Sequence, residues 1–157
     1  MNARFNMQEI FEIAERIERN GEMFYRKAMK SCPEHQDFFG ELAQAEVEHA
    51  ASFRVMRKEA GMVGLDEALA DHDQVTAAYL QEITESLVFD MDAPMPDGQK
   101  TKDVIDAAIQ REKDTILFYV GVQAAVTDDK TRKILDDIIE EEMSHVVMLA
   151  KKKETLS

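Results

Sequence analysis

The sequence predicts an all-α fold, a four-helix bundle in which two αα-hairpins are joined by a long crossover that contains a shorter helix. Two observations favour this class. Long segments carry apolar residues at helical spacing, and only 3 prolines and 6 glycines interrupt a chain of 157 residues. This length suits one domain with a core large enough to be stable unaided, so we expect a single domain over residues 1–157.

The first hairpin is predicted from two long segments with a short connection. The first helix covers Met7–Ser31, where apolar residues recur at helical spacing until Pro33 ends the pattern. The second helix covers about Glu34–Ala60, and Gly61 is placed as its C-terminal cap. Because the connection is short, the two helices are expected to be antiparallel neighbours.

The second hairpin is predicted near the end of the chain. Its first helix begins after Thr101, a plausible N-cap, and continues to about Val126. Its second helix begins after Thr127 or Asp128 and ends near Lys153, where a run of lysines suits the negative end of a helix dipole.

The long connection between the hairpins, Gly61–Lys100, is predicted to contain one more helix. An amphipathic stretch within Asp66–Phe89 is expected to be helical in large part. The following segment, Asp90–Gln99, contains two prolines and a glycine, which enforce a loop.

Charge and composition exclude several classes of partner. The formal net charge of −13 would repel the phosphates of nucleic acids and the surface of anionic membranes. No apolar run approaches the ~20 residues that cross a bilayer, and the N-terminus lacks the apolar stretch of a signal peptide. Cys32 is the only cysteine, so no intrachain disulfide can form. We therefore expect a cytoplasmic protein without a nucleic-acid or membrane partner.

An internal repeat relates the first and third long helices. The first contains "ERNGEMFY", from Glu18 to Tyr25, and the third contains "EKDTILFY", from Glu112 to Tyr119. In both, a tyrosine follows the glutamate by seven residues, which is about two helical turns. The glutamate and the tyrosine therefore lie on one face of each helix.

A second repeat relates the second and fourth long helices. "EVEH" contains Glu46 and His49, and "EMSH" contains Glu142 and His145. Side chains three residues apart project from the same side of a helix. A lone Glu-x-x-His is a weak signal, but two of them, each preceded at near-equal distance by a Glu-x6-Tyr helix, indicate a common site.

Four carboxylates that meet beside two imidazoles in a bundle core would repel one another without metal. Two divalent cations would balance the four negative charges. Ferritin-like dimetal carboxylate proteins use this ligand set: two helices each supply one Glu, and the other two each supply Glu-x-x-His. Over nearly its whole length the chain resembles the rubrerythrin-type ferritin-like proteins.

The resemblance implies a bridged dinuclear site with six ligands. The terminal ligands would be Glu18 and Glu112, the bridging ligands Glu46 and Glu142, and the remaining ligands His49 and His145. It further implies two iron ions, alternatively manganese or a mixed pair, joined by an oxo or hydroxo bridge. The expected partners are hydrogen peroxide or dioxygen, an external electron donor such as a rubredoxin-like protein, and a second copy of the chain in a homodimer.

The repeat also separates the predicted ligands from neighbouring acids in the first helix. Glu15 and Glu22 lie on nearly the same face as Glu18, but their counterparts in the third helix are Ile109 and Ile116. Only Glu18 has an acidic counterpart.

The same comparison applies to the three consecutive glutamates of the fourth helix. Glu140 aligns with Gln44 and Glu141 with Ala45, whereas Glu142 aligns with an acid. On an ideal helix Glu140 and Glu141 point about 200° and 100° away from Glu142. We therefore expect Glu140 to face solvent and Glu141 to lie at the edge of the bundle, both as surface acids.

Two features depart from rubrerythrins proper. The chain has none of the paired Cys-x-x-Cys motifs of their C-terminal rubredoxin domain, so we expect the electron donor to be external. Thr115 stands where they carry a further glutamate, which puts their peroxidase cycle in doubt. Gly21 is its counterpart in the first helix, and two small residues either leave room beside the metals for an oxidant or allow the helices to cross closely.

Tyr25 and Tyr119 have two interpretations. They either hydrogen-bond the ligating carboxylates and so orient them, or they are core tyrosines whose hydroxyls are bonded elsewhere. In the first case they belong to the catalytic site together with the four glutamates.

Three functions follow as hypotheses. The leading one is an oxidoreductase in which diferrous iron reduces hydrogen peroxide or dioxygen, in oxidative-stress defence or iron homeostasis. The alternative is a ferroxidase-type iron-handling protein without peroxidase turnover. The third is a non-catalytic bundle that serves as an interaction module, and the inward carboxylates disfavour it.

Overall fold

The computed structural model describes residues 6–63, 74–91 and 100–156. Within these ranges the chain forms five α-helices and one short 3-10 helix, and no strand. The α-helices are α1 (Met7–Ser31), α2 (Gln36–Val63), α3 (Gln74–Met91), α4 (Thr101–Ala125) and α5 (Asp129–Glu154). The all-α bundle predicted from the sequence is confirmed, with α3 as the shorter helix of the crossover.

The long helices pair as the sequence predicts. Helix α1 packs along α2, and α4 packs along α5, so each hairpin is a unit of two neighbouring helices. Helix α3 lies mainly against α4 and also touches α1. The predicted loop Asp90–Gln99 begins two residues too early, because Asp90 and Met91 still belong to α3, and the rest of it lies outside the described residues. The first part of the predicted crossover helix, residues 66–73, also lies outside them.

Side-chain caps fix the starts of α1 and α5. Asn6 accepts a hydrogen bond from the Glu9 amide at 2.8 Å, and the Glu9 carboxylate accepts one from the Asn6 amide at 2.8 Å. These reciprocal bonds form a capping box and satisfy amides that the helix itself leaves unpaired. Asp128 accepts from the Thr131 amide at 2.8 Å, so it is the N-cap of α5.

Three predicted helix ends differ from the structure. Gly61 is not a cap, because α2 continues to Val63 and passes the Gln8 side chain at this glycine. The N-cap of α4 is Lys100 rather than Thr101, and no side chain caps it. Pro33 opens a 3-10 turn, Pro33–His35, and α2 therefore begins two residues later than predicted. Proline suits a first helical position because it lacks an amide hydrogen.

Two apolar clusters divide the core along the bundle axis. The first is built from the N-terminal half of α1, the C-terminal halves of α2 and α4, and the start of α5, and it includes Phe53 and Phe118. The second is built from the opposite ends of the same helices and includes Phe39 and Leu149. The middle of each long helix therefore lies between two apolar clusters. In the described parts of the chain, every helix is too short or too polar to cross a membrane.

Candidate metal centre

Six polar side chains occupy the middle of the bundle, between the two apolar clusters. Each has at most 7% of its surface exposed, and together they form the carboxylate–histidine cluster. Its members are Glu18 on α1, Glu46 and His49 on α2, Glu112 on α4, and Glu142 and His145 on α5. The structure thus brings together the six residues predicted from the sequence, with each hairpin supplying three.

The cluster contains two overlapping groups of potential ligand atoms. One group comprises Glu18, Glu46, His49 and Glu142, and the other comprises Glu46, Glu112, Glu142 and His145. Within each group, one ligand atom per residue lies within 4.8 Å of all the others. Two residues, Glu46 and Glu142, belong to both groups. Such sharing fits two adjacent cation positions joined by two carboxylates.

The histidines direct their Nδ1 atoms into the cluster. His49 Nδ1 lies 3.0 Å from Glu142 Oε1 and 3.5 Å from Glu18 Oε2. His145 Nδ1 lies 3.0 Å from Glu142 Oε2 and 3.8 Å from Glu112 Oε1. Each imidazole therefore faces the unshared glutamate of its own group, and Glu142 contacts both imidazoles.

Two tyrosine hydroxyls connect the hairpins through the cluster. Tyr25 on α1 donates a hydrogen bond to Glu112 on α4, and Tyr119 on α4 donates one to Glu18 on α1. Both tyrosines are buried, and burial together with the charge of Glu112 raises the pKa of Tyr25 well above its usual range. The Tyr25 phenol therefore keeps its proton and remains a donor. The structure places both hydroxyls on cluster carboxylates, as the first of the two sequence interpretations expects.

Three of the four carboxylates hold protons more tightly than exposed glutamates. Burial, and then the charge of Glu142, raises the pKa of Glu18 to about 7. Burial, together with neighbouring carboxylates, also raises the pKa values of Glu46 and Glu112 well above the usual range. Without a cation, protons reduce the repulsion among these acids.

Glu142 and His49 form the charged pair of the metal-free cluster. Burial opposes the charge of Glu142, but hydrogen bonds from His145 and His49 hold its pKa well below the usual range. Burial likewise opposes the charge of His49, but the neighbouring carboxylates of Glu142 and Glu18 raise its pKa to about 11. The folded chain without metal therefore keeps a proton on His49, and a metal that binds this imidazole must displace it.

The donor set fits a pair of divalent metal ions. Glu18 Oε2 and Glu46 Oε1 are buried oxygens without a hydrogen-bond partner; Glu18 belongs to one ligand group and Glu46 to both. A buried oxygen without a partner is costly, and a metal ion would satisfy it. Carboxylate and imidazole ligands suit iron or manganese.

Gly21 gives space to one of the shared carboxylates. A Cβ atom at this position would lie 2.9 Å from Glu46 Cδ and would overlap Glu46 Oε2. The neighbour that requires a glycine here is thus a side chain of α2, which neither of the two interpretations offered by the sequence named. Thr115, the counterpart of Gly21 in the other hairpin, is buried in α4.

Glu15 is buried beside the cluster but is neutralised by arginines. Its carboxylate lies 2.5 Å from Arg19, 3.1 Å from Arg54 and 3.2 Å from Arg57. Although burial opposes the charge, the hydrogen bond from Arg54 and the charges of Arg57 and Arg19 lower the pKa of Glu15. Glu15 belongs to neither ligand group, as the internal repeat predicts.

The other acids considered from the sequence also lie outside the two groups. Glu22 pairs with Arg26 at 2.6 Å, and Glu140 is exposed. Glu141 is exposed as well, but it is more than a surface acid, because its Oε2 lies 2.8 Å from His49 Nε2. The repeat could not reveal this contact, since the counterpart of Glu141 is an alanine; the sequence signal was only its position beside Glu142.

Comparison with known proteins supports the fold. No protein-family model and no curated protein matches the chain. Among solved structures, a Thermotoga maritima protein provisionally described as a ferritin-like diiron-carboxylate protein matches over 100% of both chains, with a TM-score of 0.71 and 23% sequence identity. At this identity the likeness concerns the fold alone, and it shows that the chain has a ferritin-like helical bundle.

Proposed function

We propose that the carboxylate–histidine cluster holds two metal ions and that the protein is a rubrerythrin-like oxidoreductase. The observation that carries this proposal is the pair of overlapping ligand groups, which share Glu46 and Glu142 and are buried between two apolar clusters. An interaction module has no need of four buried carboxylates, which are costly to keep in a core.

In the proposed site each residue has a distinct role. Glu18 and His49 would hold one ion, Glu112 and His145 would hold the other, and the two shared glutamates would contribute to both positions. We propose iron, with manganese or a mixed pair as the alternative, because carboxylate and imidazole ligands suit both metals. Bound as a diferrous pair, the ions would supply two electrons, which together with two protons suffice to reduce hydrogen peroxide to water or dioxygen to hydrogen peroxide.

The surrounding residues prepare the site for that chemistry. Tyr25 and Tyr119 orient the two terminal carboxylates by hydrogen bonds from the opposite hairpin. The apolar clusters above and below exclude water from the metals. We further propose that an external protein donor, rubredoxin-like or of another kind, returns the electrons, and that the protein works in the cytoplasm as a homodimer.

Iron handling without peroxidase turnover is the second candidate. It is favoured by Thr115, which stands where rubrerythrin-type proteins carry a further glutamate and which is buried here at 6% exposure. A threonine at this place removes an acid that those proteins use during turnover. Oxidation of Fe²⁺ by dioxygen would then be the main reaction.

Metal analysis and rapid mixing test both candidates. Protein isolated without chelators should contain close to two iron or manganese ions per chain, and a value near zero would refute both. The anaerobic diferrous protein is then mixed with hydrogen peroxide or with dioxygen. Faster oxidation by peroxide supports the peroxidase, and faster oxidation by dioxygen supports iron handling. The mass in solution separates a dimer from the large closed shell that iron storage requires.

A further inference from the structure

His49 connects the buried cluster with the surface. Its Nδ1 faces Glu142 and Glu18, while its Nε2 lies 2.8 Å from Glu141 Oε2. The side chain of His49 is 4% exposed, whereas that of Glu141 is 59% exposed. The imidazole is therefore fixed at both nitrogens, from inside by cluster carboxylates and from outside by an acid of α5.

His145 occupies the equivalent place in the other hairpin, and within residues 6–63, 74–91 and 100–156 no acid contacts its outer nitrogen. Its contacts with carboxylates, Glu142 and Glu112, are made by Nδ1. Glu141 directly precedes Glu142, and the residue that directly precedes Glu46 is Ala45. The internal repeat therefore provides an outer carboxylate for one histidine and a methyl group at the corresponding position for the other.

We propose that Glu141 is a positioning residue which makes the two metal positions unequal, so that the position formed by Glu18 and His49 binds its metal more tightly and is filled first. This inference rests on the proposed dinuclear site. A carboxylate that accepts from Nε2–H leaves the lone pair on Nδ1, where the metal binds, and holds the ring in the orientation that binding needs. It also makes the imidazole a stronger ligand.

The expected magnitude follows from similar outer partners of metal-ligating histidines. Their removal typically costs about 10- to 100-fold in metal affinity. Glu141 is largely exposed, and water weakens an exposed hydrogen bond, so we expect about tenfold, the lower end of that range. The effect should be confined to one metal, because Glu141 contacts only one of the two histidines.

Anaerobic titration of the metal-free full chain with Co²⁺ tests the inference. Visible absorption reports coordination and elemental analysis counts the ions. The wild-type chain should bind two ions in two separable phases. Glu141→Ala should weaken the tighter phase by about tenfold and leave the weaker phase unchanged. Glu140→Ala removes the same charge one residue away, so it is the matched control and should change neither phase.

Further variants test which metal position Glu141 affects and whether it acts through its hydrogen bond with His49. In a Glu112→Ala background, the remaining tight ion should keep its sensitivity to Glu141→Ala, whereas a Glu18→Ala background should lose it. Glu141→Gln keeps an oxygen acceptor without the charge and should restore most of the affinity. Ala45→Glu should strengthen the weaker phase. Circular dichroism of each metal-free variant verifies that its helices are intact.

Different results would overturn different parts of this account. If the wild-type chain binds no Co²⁺, the dinuclear site and this inference both fail. If two ions bind but Glu141→Ala and Glu140→Ala behave alike, or Glu141→Ala weakens both phases equally, the positioning role fails while the dinuclear site stands.

Discussion

Glu142 differs from the other buried carboxylates because it accepts hydrogen bonds from both histidines. His49 and His145 each place Nδ1 3.0 Å from one of its oxygens. It is also the cluster glutamate whose pKa is lowered, so it is the carboxylate that stays charged when no metal is present. Glu142 therefore organises the cluster before any ion binds.

This role predicts the result of Glu142→Ala. Both proposed metal positions lose a ligand, and the Nδ1 atoms of both histidines lose their closest partner, so we expect the metal content to fall from two ions per chain to less than one. Glu140→Ala, on the exposed face of the same helix, is the control and should retain both ions. Elemental analysis of the two purified variants makes the comparison, and equal losses would refute the assignment of Glu142.

Gly21→Ala tests the space beside Glu46. The added methyl group would overlap the Glu46 carboxylate, so that side chain must move away and bridging should weaken. We expect the loss of at least one metal ion, measured by elemental analysis. In the control, Gly40→Ala, the new Cβ would be 3.5 Å from Met29 Cε, an ordinary contact. This control should keep both ions and gain about 0.5–1 kcal/mol in stability from its higher helix propensity. Full metal content in Gly21→Ala would contradict the steric explanation.

At the scale of the helices, α3 depends on a second glycine. A Cβ atom at Gly121 of α4 would lie 2.6 Å from Tyr79 Cε1 and 3.0 Å from Leu80 Cδ2. The Tyr79 hydroxyl also donates to the carbonyl of Leu117 at 2.8 Å, which holds α3 at this level of α4. The crossover helix therefore approaches α4 closely because one residue has no side chain.

Gly121→Ala should for this reason destabilise the fold. Overpacking of this kind typically costs about 1–3 kcal/mol, which exceeds the gain of at most about 1 kcal/mol from helix propensity. Urea unfolding followed by circular dichroism measures the difference, with Gly40→Ala as the control. A stability gain in Gly121→Ala equal to that of the control would show that α3 can move aside without cost.

The sequence was sufficient to predict the long helices and to identify the six residues of the carboxylate–histidine cluster. Apolar periodicity over many helical turns is a strong signal, and Glu18 and Glu142, which the repeat singled out, are buried in the bundle interior. The helix ends were harder to predict. Gly61, for example, was interpreted as a C-terminal cap, although α2 continues past it to Val63. The contact between Glu141 and His49 depends on rotamers and on the spacing of α2 and α5, which residue patterns do not contain.

At the scale of the whole molecule, metal binding should be linked to stability and to pH. The pKa of Glu18 is raised to about 7 and that of His49 to about 11 in the metal-free fold. Because the pKa of Glu18 is raised, the fold loses stability as pH rises from 4.5 to 7. The stabilisation from protonated His49 is lost as pH rises from 6.5 towards 11. A metal ion takes the place of these protons, so its affinity increases with pH.

We therefore expect Mn²⁺ to raise the thermal unfolding temperature, and to do so more at about pH 8 than at about pH 6. A metal present at about 100 times its Kd adds about 2.7 kcal/mol to the unfolding free energy. Differential scanning calorimetry of metal-free and metal-loaded samples in matched buffers measures both effects. An increment that is independent of pH, or larger at the lower pH, would contradict the proton displacement.

The crossed tyrosine bonds have a consequence for the architecture. Exchange of the two hairpins converts one ligand group into the other, and it converts the bond from Tyr25 to Glu112 into the bond from Tyr119 to Glu18. Two identical hairpins related by a twofold axis could therefore build the same set of ligands. In such a symmetric pair, however, the residues around the two metal positions would have to be identical. Because both hairpins belong to one polypeptide, each can mutate alone, and a covalently joined pair can give its two metals different neighbours.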